Sequence, residues 1–350
     1  MFLSLTLSIS LLEIGYRVIY ERPKIEKPKD DWAIVPERTW IEYHPSLGWF
    51  HQKNKTSNLE AKNYSVQVHT NSQGFRGQKE YSLQKDPLIP RILILGDSFF
   101  FGWGVNDEET VAAKLELNNM EAINLAVPGY GINQILMSYR EIGRKFNPDL
   151  VLISVFPDDF HRATESFSDS GYAKPYFSLE PGGILKLHNI PTPKPFEMTT
   201  GQYPEVIQHK PIEKILLHSS VYKTLRRGFQ KIGKQMGWID SNSTDEWILG
   251  KAILTQLIME IRKDGAIPIL IFVPARWTIG NEQESFRKSF ARLSKSLQVD
   301  LIDPTEEFTQ AIKTSKLEDY YIQDDWHWTA QGHQLLADLL SDYLKEHKFL

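Results

Sequence analysis

The chain has 350 residues, with 40 Lys plus Arg against 44 Asp plus Glu and a formal net charge of −4. Its 41% hydrophobic and 24% charged residues are the mix of an ordinary globular chain and exclude a disordered polyelectrolyte. The near balance of charge lacks the basic footprint of a nucleic-acid binder. The absence of cysteine excludes disulfides, thiolate metal sites and cysteine nucleophiles together.

Residues 1–12 carry no charge, and Glu13 ends the run. A membrane-spanning helix needs about 20 such residues, and a secretory signal would want a basic start and a small-residue cleavage site. The run reads either as a packed N-terminal helix or as the tail of a membrane anchor. Residues 24–90 form a mixed extension, rich in aromatics and prolines, with one alternating stretch at Tyr64, Val66, Val68 and Thr70. That period of two predicts a half-buried strand, followed by a turn over 71–74.

From Arg91 the texture changes. The apolar run 92–95 ends in Gly96, as a buried parallel strand does. A helix over 108–118 follows, with Asn106 or Asp107 as its cap. Then come a strand at 122–125, a helix over 133–146 and a strand at 150–155. After an interruption, the pattern predicts a helix at 246–263, a strand at 267–273, a helix at 283–296 and a strand at 299–302. Thr329 can cap a last helix reaching about 346. Strands alternating with helices give an α/β fold with a parallel sheet between two helical layers. The domain 91–350 is thus expected to be a three-layer sandwich carrying an insertion over 161–245.

Seven of the 19 prolines fall between Pro175 and Pro211, which makes the insertion loop-rich, with room for a small hairpin. Its second part alternates apolar positions such as Ile215, Leu216 and Leu225 with Lys223, Arg226 and Arg227. A basic amphipathic helix can lie on an anionic surface, but packing by the apolar stripe with the charges solvated is the simpler reading.

Loops at the carboxyl ends of the strands form the ligand crevice of an open parallel sheet. Here they carry Gly96-Asp97-Ser98, then Asn124 and Gly129, then Asp158-Asp159, and finally Asp324-Asp325-Trp326-His327. A serine, backbone donors near glycines and an Asp/His pair are the parts of a metal-free acyl-transfer site. No Gly-x-Ser-x-Gly surrounds Ser98, which argues against an α/β-hydrolase elbow.

At these residues the chain resembles the SGNH/GDSL hydrolase superfamily, over about 91–160 and 265–344. The resemblance implies a flavodoxin-like fold, Ser98 as nucleophile, and the amides of Ser98 and Gly129 as oxyanion donors. It implies His327 as base, oriented by Asp325 or Asp324. The run Asp325-Trp-His327-Trp with Gly332-His333 matches a subgroup that favours Asp325. The chain departs from the family at Asp158, where an asparagine amide usually completes the oxyanion hole; a carboxylate has no N–H to donate there. A carboxyl kept protonated by burial, a hole of two backbone donors, and a weak enzyme are the three ways to accommodate it.

The expected activity is that of an esterase or O-acyltransferase on a small-molecule or carbohydrate ester, without cofactor. The alternative is an inactive surface protein that keeps the pocket for carbohydrate or lipid. Residues 11–17 and 74–77 resemble a bacterial group with a single N-terminal anchor, which implies a membrane-attached, exported protein. In that reading Arg76 either reaches the crevice or makes a surface salt bridge.

Overall fold

A computed structural model of the chain describes residues 40–117, 120–168, 172–194, 244–276, 279 and 284–349. The expected anchor at 1–23 and the basic amphipathic segment lie outside these residues. Among the described residues no helix is long and apolar enough to cross a membrane.

The described residues open with two antiparallel hairpins, β1 (Ile41–His44) with β2 (Gly48–His51) and β3 (Thr56–Ala61) with β4 (Tyr64–His69). The alternation at 64–70 is therefore one arm of a hairpin. The central sheet contains β5 (Arg91–Leu95), β6 (Glu121–Asn124), β7 (Leu150–Val155), and further on β10 (Ile267–Phe272) and β11 (Asp300–Ile302). Between β7 and β10 a small hairpin joins β8 (Tyr176–Glu180) and β9 (Ile184–His188). The spatial order β11-β10-β7-β5-β6 is wholly parallel. Renumbered within the sheet it is 2-1-3-4-5 from the β6 edge, the flavodoxin-like order.

The nine helices among the described residues are α1 (Ser98–Phe101), α2 (Val111–Glu116), α3 (Ile132–Glu141), α4 (Pro157–Arg162), α5 (Asp245–Lys263), α6 (Glu284–Leu297), α7 (Thr305–Thr314), α8 (Leu317–Tyr320) and α9 (Ala330–Glu346). Side chains alternate along a strand, and β5 feeds both layers accordingly. Leu93 and Leu95 join the core under α3, α5 and α6, whereas Ile92 and Ile94 join the one under α1, α2 and α9. Burying both faces explains why the strands read as unbroken apolar runs.

Several boundaries differ from the periodicity. The helix expected over 108–118 is a 3-10 turn at Asp107–Glu109 followed by α2, because the Thr110 hydroxyl caps the Ala113 N–H and restarts the chain. The helix expected over 133–146 stops at Glu141 and ends in a 3-10 turn at Gly143–Phe146. Gly143 lies so close to the sheet that a Cβ there would meet Leu93 at 2.6 Å. After β7, α4 runs through Arg162, with Pro157 preset for its first turn. Residues of the extension enter both cores: Leu47, Trp49, Phe50 and Phe75 sit in one, and Trp40, Leu59 and Val68 in the other.

Candidate active site

Ser98 is the first residue of α1, directly beyond β5. Asp97 caps it, accepting the Phe99 N–H at 3.0 Å, and Gly102 closes it with φ +86°. The turn is tight because Gly96 touches β7; a Cβ there would lie 1.9 Å from the Ser154 hydroxyl. Four short helical residues thus hold the serine at the carboxyl edge of the sheet.

Arg76 proves to be neither a crevice residue nor a surface ion pair. It is buried beneath α1, donating to the carbonyls of Phe101, Gly102 and Val105 and, at 2.6 Å, to Asp107. It is a support for the serine turn. Burial depresses its pKa, with the Asp107 carboxylate opposing.

His327 comes from the loop between α8 and α9. Its Nε2 is 2.7 Å from the Ser98 hydroxyl, and its Nδ1 is 2.7 Å from Asp325 Oδ1. The imidazole packs beside Phe99 and Trp103, with ring centroids 4.8 and 5.9 Å away. The loop is anchored by the Tyr321 hydroxyl and the Trp328 indole, which both donate to Pro274 beyond β10.

Asp325, not Asp324, meets the histidine. It does so through a turn: Oδ1 also accepts the backbone N–H groups of Trp326 and His327. Burial alone would raise this carboxyl, but the hydrogen bonds from the His327 ring and the two amides hold it below the usual range. Asp324 has φ +60° and points outward, 3.5 Å from Lys62. The turn aims its side chain away from His327.

The glycine loop follows β6. Asn124 links it to α1, donating to the Phe100 carbonyl at 2.9 Å. Gly129 sits at φ +81°, where a side chain would be strained. Among the described residues, no acceptor takes the N–H of either Ser98 or Gly129. Both amides are therefore free to donate to an incoming oxygen.

Asp158 stands at the start of α4, after β7. Its side chain is 52% exposed and lies 3.5 Å from the Arg162 guanidinium. The burial on which a donating O–H would depend is absent, so that way of accommodating Asp158 falls. Asp159 is the buried member of the pair, accepting the Phe156 N–H at 2.9 Å. Its carboxyl is raised well above the ordinary value by burial and by the nearby Asp97 charge, against the pull of Arg162.

Sequence reasoning missed Arg162, whose Nη1 donates to Asp97, Asp159 and the Tyr130 carbonyl. The signal was present: carboxylates three and four residues ahead of an arginine share one helix face. His333 is also not part of the site. It is buried against Trp328, and burial pulls its pKa down to about 3.

No family model and no curated protein matches the chain. Among solved structures it is similar to the psychrotrophic esterase EstA from Pseudoalteromonas sp., at 16% identity and a TM-score of 0.41, covering 74% of this chain and 99% of that one. It is similar to a lipase/acylhydrolase from Enterococcus faecalis, at 13% identity and a TM-score of 0.40, covering 74% and 97%. The acetyl xylan esterase AlAXEase matches at 13% identity and a TM-score of 0.40, covering 73% and 99%. These likenesses are ones of outline. In its own right the chain has a flavodoxin-like strand order, with Gly96-Asp97-Ser98 and Asp325-Trp326-His327 on loops outside the sheet.

Proposed function

We propose that this protein is a serine ester hydrolase of the SGNH/GDSL type, acting on a small-molecule or carbohydrate ester. The observation that carries the reading is the relay Asp325–His327–Ser98, closed by two contacts of 2.7 Å. His327 Nε2 takes the Ser98 proton as Oγ attacks the ester carbonyl. Asp325 holds the Nδ1–H and balances the imidazolium that forms. The carbonyl oxygen gains its charge facing the free amides of Ser98 and Gly129, which stabilise the tetrahedral intermediate. His327 then protonates the departing alcohol, and water, activated by the same histidine, releases the acid. A sugar hydroxyl in place of water would turn the cycle into O-acyl transfer.

Asp158 leaves this hole with two backbone donors, and one missing donor is worth about 10²–10³-fold in rate. The reading is therefore of a modest enzyme. A serine-reactive fluorophosphonate probe and a chromogenic acetyl ester test it. Labelling located on Ser98 by mass spectrometry, lost in Ser98→Ala, is the expected result. Absence of both labelling and turnover in the folded wild type would overturn it and favour a carbohydrate- or lipid-binding protein. The uncharged residues 1–12 fit a tether to a membrane, and partition of the natively expressed chain into the soluble fraction would count against that.

A further inference from the structure

Three loops converge on one side chain that takes no part in the relay. We propose that Arg162 is a positioning residue that keeps the serine turn, the glycine loop and the Asp158 loop in register, and so sets the spacing of the two oxyanion amides. This rests on the ester-hydrolase reading.

Arg162 Nη1 lies 3.0 Å from Asp97 Oδ2, 2.9 Å from Asp159 Oδ1 and 3.2 Å from the Tyr130 carbonyl. Asp97 precedes Ser98, Tyr130 follows Gly129 and Asp159 follows Asp158. One nitrogen therefore grips the immediate chain neighbours of Ser98, Gly129 and Asp158. It has two hydrogens for three acceptors, so at least one of these bonds is shared.

All three acceptors belong to fully buried residues. Asp97 and Asp159 are buried within reach of each other's charge, and Arg162 is the one cation paired with them among the described residues. The arginine is itself fixed. Its carbonyl accepts from the buried Lys174 ammonium at 2.7 Å, and its guanidinium lies 5.8 Å from the Phe156 ring centre. The glycine loop nests against its stem, for a Cβ on Gly131 would meet Arg162 Cβ at 2.8 Å. A tie of this kind matters because oxyanion donors act over about 2.7–3.1 Å, and a displacement of about 1 Å costs about 10²-fold.

The test uses the full chain with Arg162→Gln and Arg162→Lys, a chromogenic acetyl ester, and hydrogen exchange read by mass spectrometry. Arg162→Gln is expected to lower kcat by about 10²-fold with KM changed by less than about threefold. Arg162→Lys, which keeps a cation but loses the planar fork, should recover about tenfold of that loss. Exchange should quicken at 96–102 and 126–131 and stay unchanged in α6. Should Arg162→Gln fail to fold, the lysine variant decides, through an intermediate kcat and the same local exchange. A folded variant with wild-type kcat, or exchange that is unaltered at both loops, overturns the proposal. If the wild type neither turns over ester nor takes the probe, the ester-hydrolase reading has failed, and the exchange pattern alone then judges whether Arg162 holds the loops.

Discussion

Trp49 and Tyr130 hold each other beside the glycine loop. The Tyr130 hydroxyl donates to the Trp49 carbonyl at 2.5 Å, their rings meet edge-on at 5.3 Å, and the Trp49 indole donates to Pro128, next to Gly129. Since Trp49 lies on β2, the segment ahead of the sheet braces the candidate oxyanion loop. Tyr130→Phe removes the donor from a buried carbonyl and should destabilise the protein by about 1–3 kcal/mol. Urea denaturation measures it; a loss below experimental error would mean that the brace carries no energy.

The two aspartates of the last loop should respond unequally. Asp325→Asn takes away the charge that balances the imidazolium and offers an amide N–H where an acceptor is needed. Its kcat should fall about 10⁴-fold. Asp324→Asn alters an exposed side chain at a left-handed position that asparagine tolerates well, so kcat should stay within about twofold. Steady-state kinetics on an acetyl ester would expose the reverse order at once.

Asp158→Asn tests whether an amide serves better than a carboxylate after β7. An amide at this half-exposed position restores an N–H donor, worth up to about 3–4 kcal/mol if well aimed. A rise in kcat of about tenfold or more is expected, equally at pH 7 and pH 9. No rise would indicate that the α4 turn aims this side chain away from the oxyanion.

Two buried histidines set the acid response. Burial pulls His51 down to about 4 and His333 down to about 3, against 6.5 when unfolded. Below pH 6.5 the unfolded chain binds protons that the native state refuses, so stability is full above that pH and falls as the pH drops toward 4. Each could contribute up to about 3 kcal/mol to this loss. His333→Leu and His51→Phe should each flatten the decline in melting temperature between pH 6.5 and 4.5. An unchanged slope would refute the assignment.

The sheet strands and Thr329-capped α9 were legible because burial on both faces and a hydroxyl cap leave plain marks in the sequence. That Ser98, Gly129 and His327 would sit on loops outside the sheet was legible from the polar and glycine residues that follow the apolar runs. What escaped were contacts made at a distance. Nothing near Arg76 in the sequence says that it will collect three carbonyls from residues 101–105. The contact of Asp325 with His327 is made by a local Asx-type turn, in which one carboxylate oxygen gathers two amides and a ring N–H.

The serine and its histidine lie 229 positions apart, on loops that follow the first strand of the sheet and its last. Contacts between residues so distant in sequence are slow to form in folding, and a chain leaving the ribosome organises its N-terminal part first. The serine turn, with Arg76 beneath it, can thus be in place while the base is still to be synthesised. Until Tyr321 and Trp328 dock on Pro274, such a chain carries an unactivated hydroxyl. If Ser98 is the proposed nucleophile, its reactivity arrives as one of the final events of maturation, and a nascent or truncated copy would be silent toward esters.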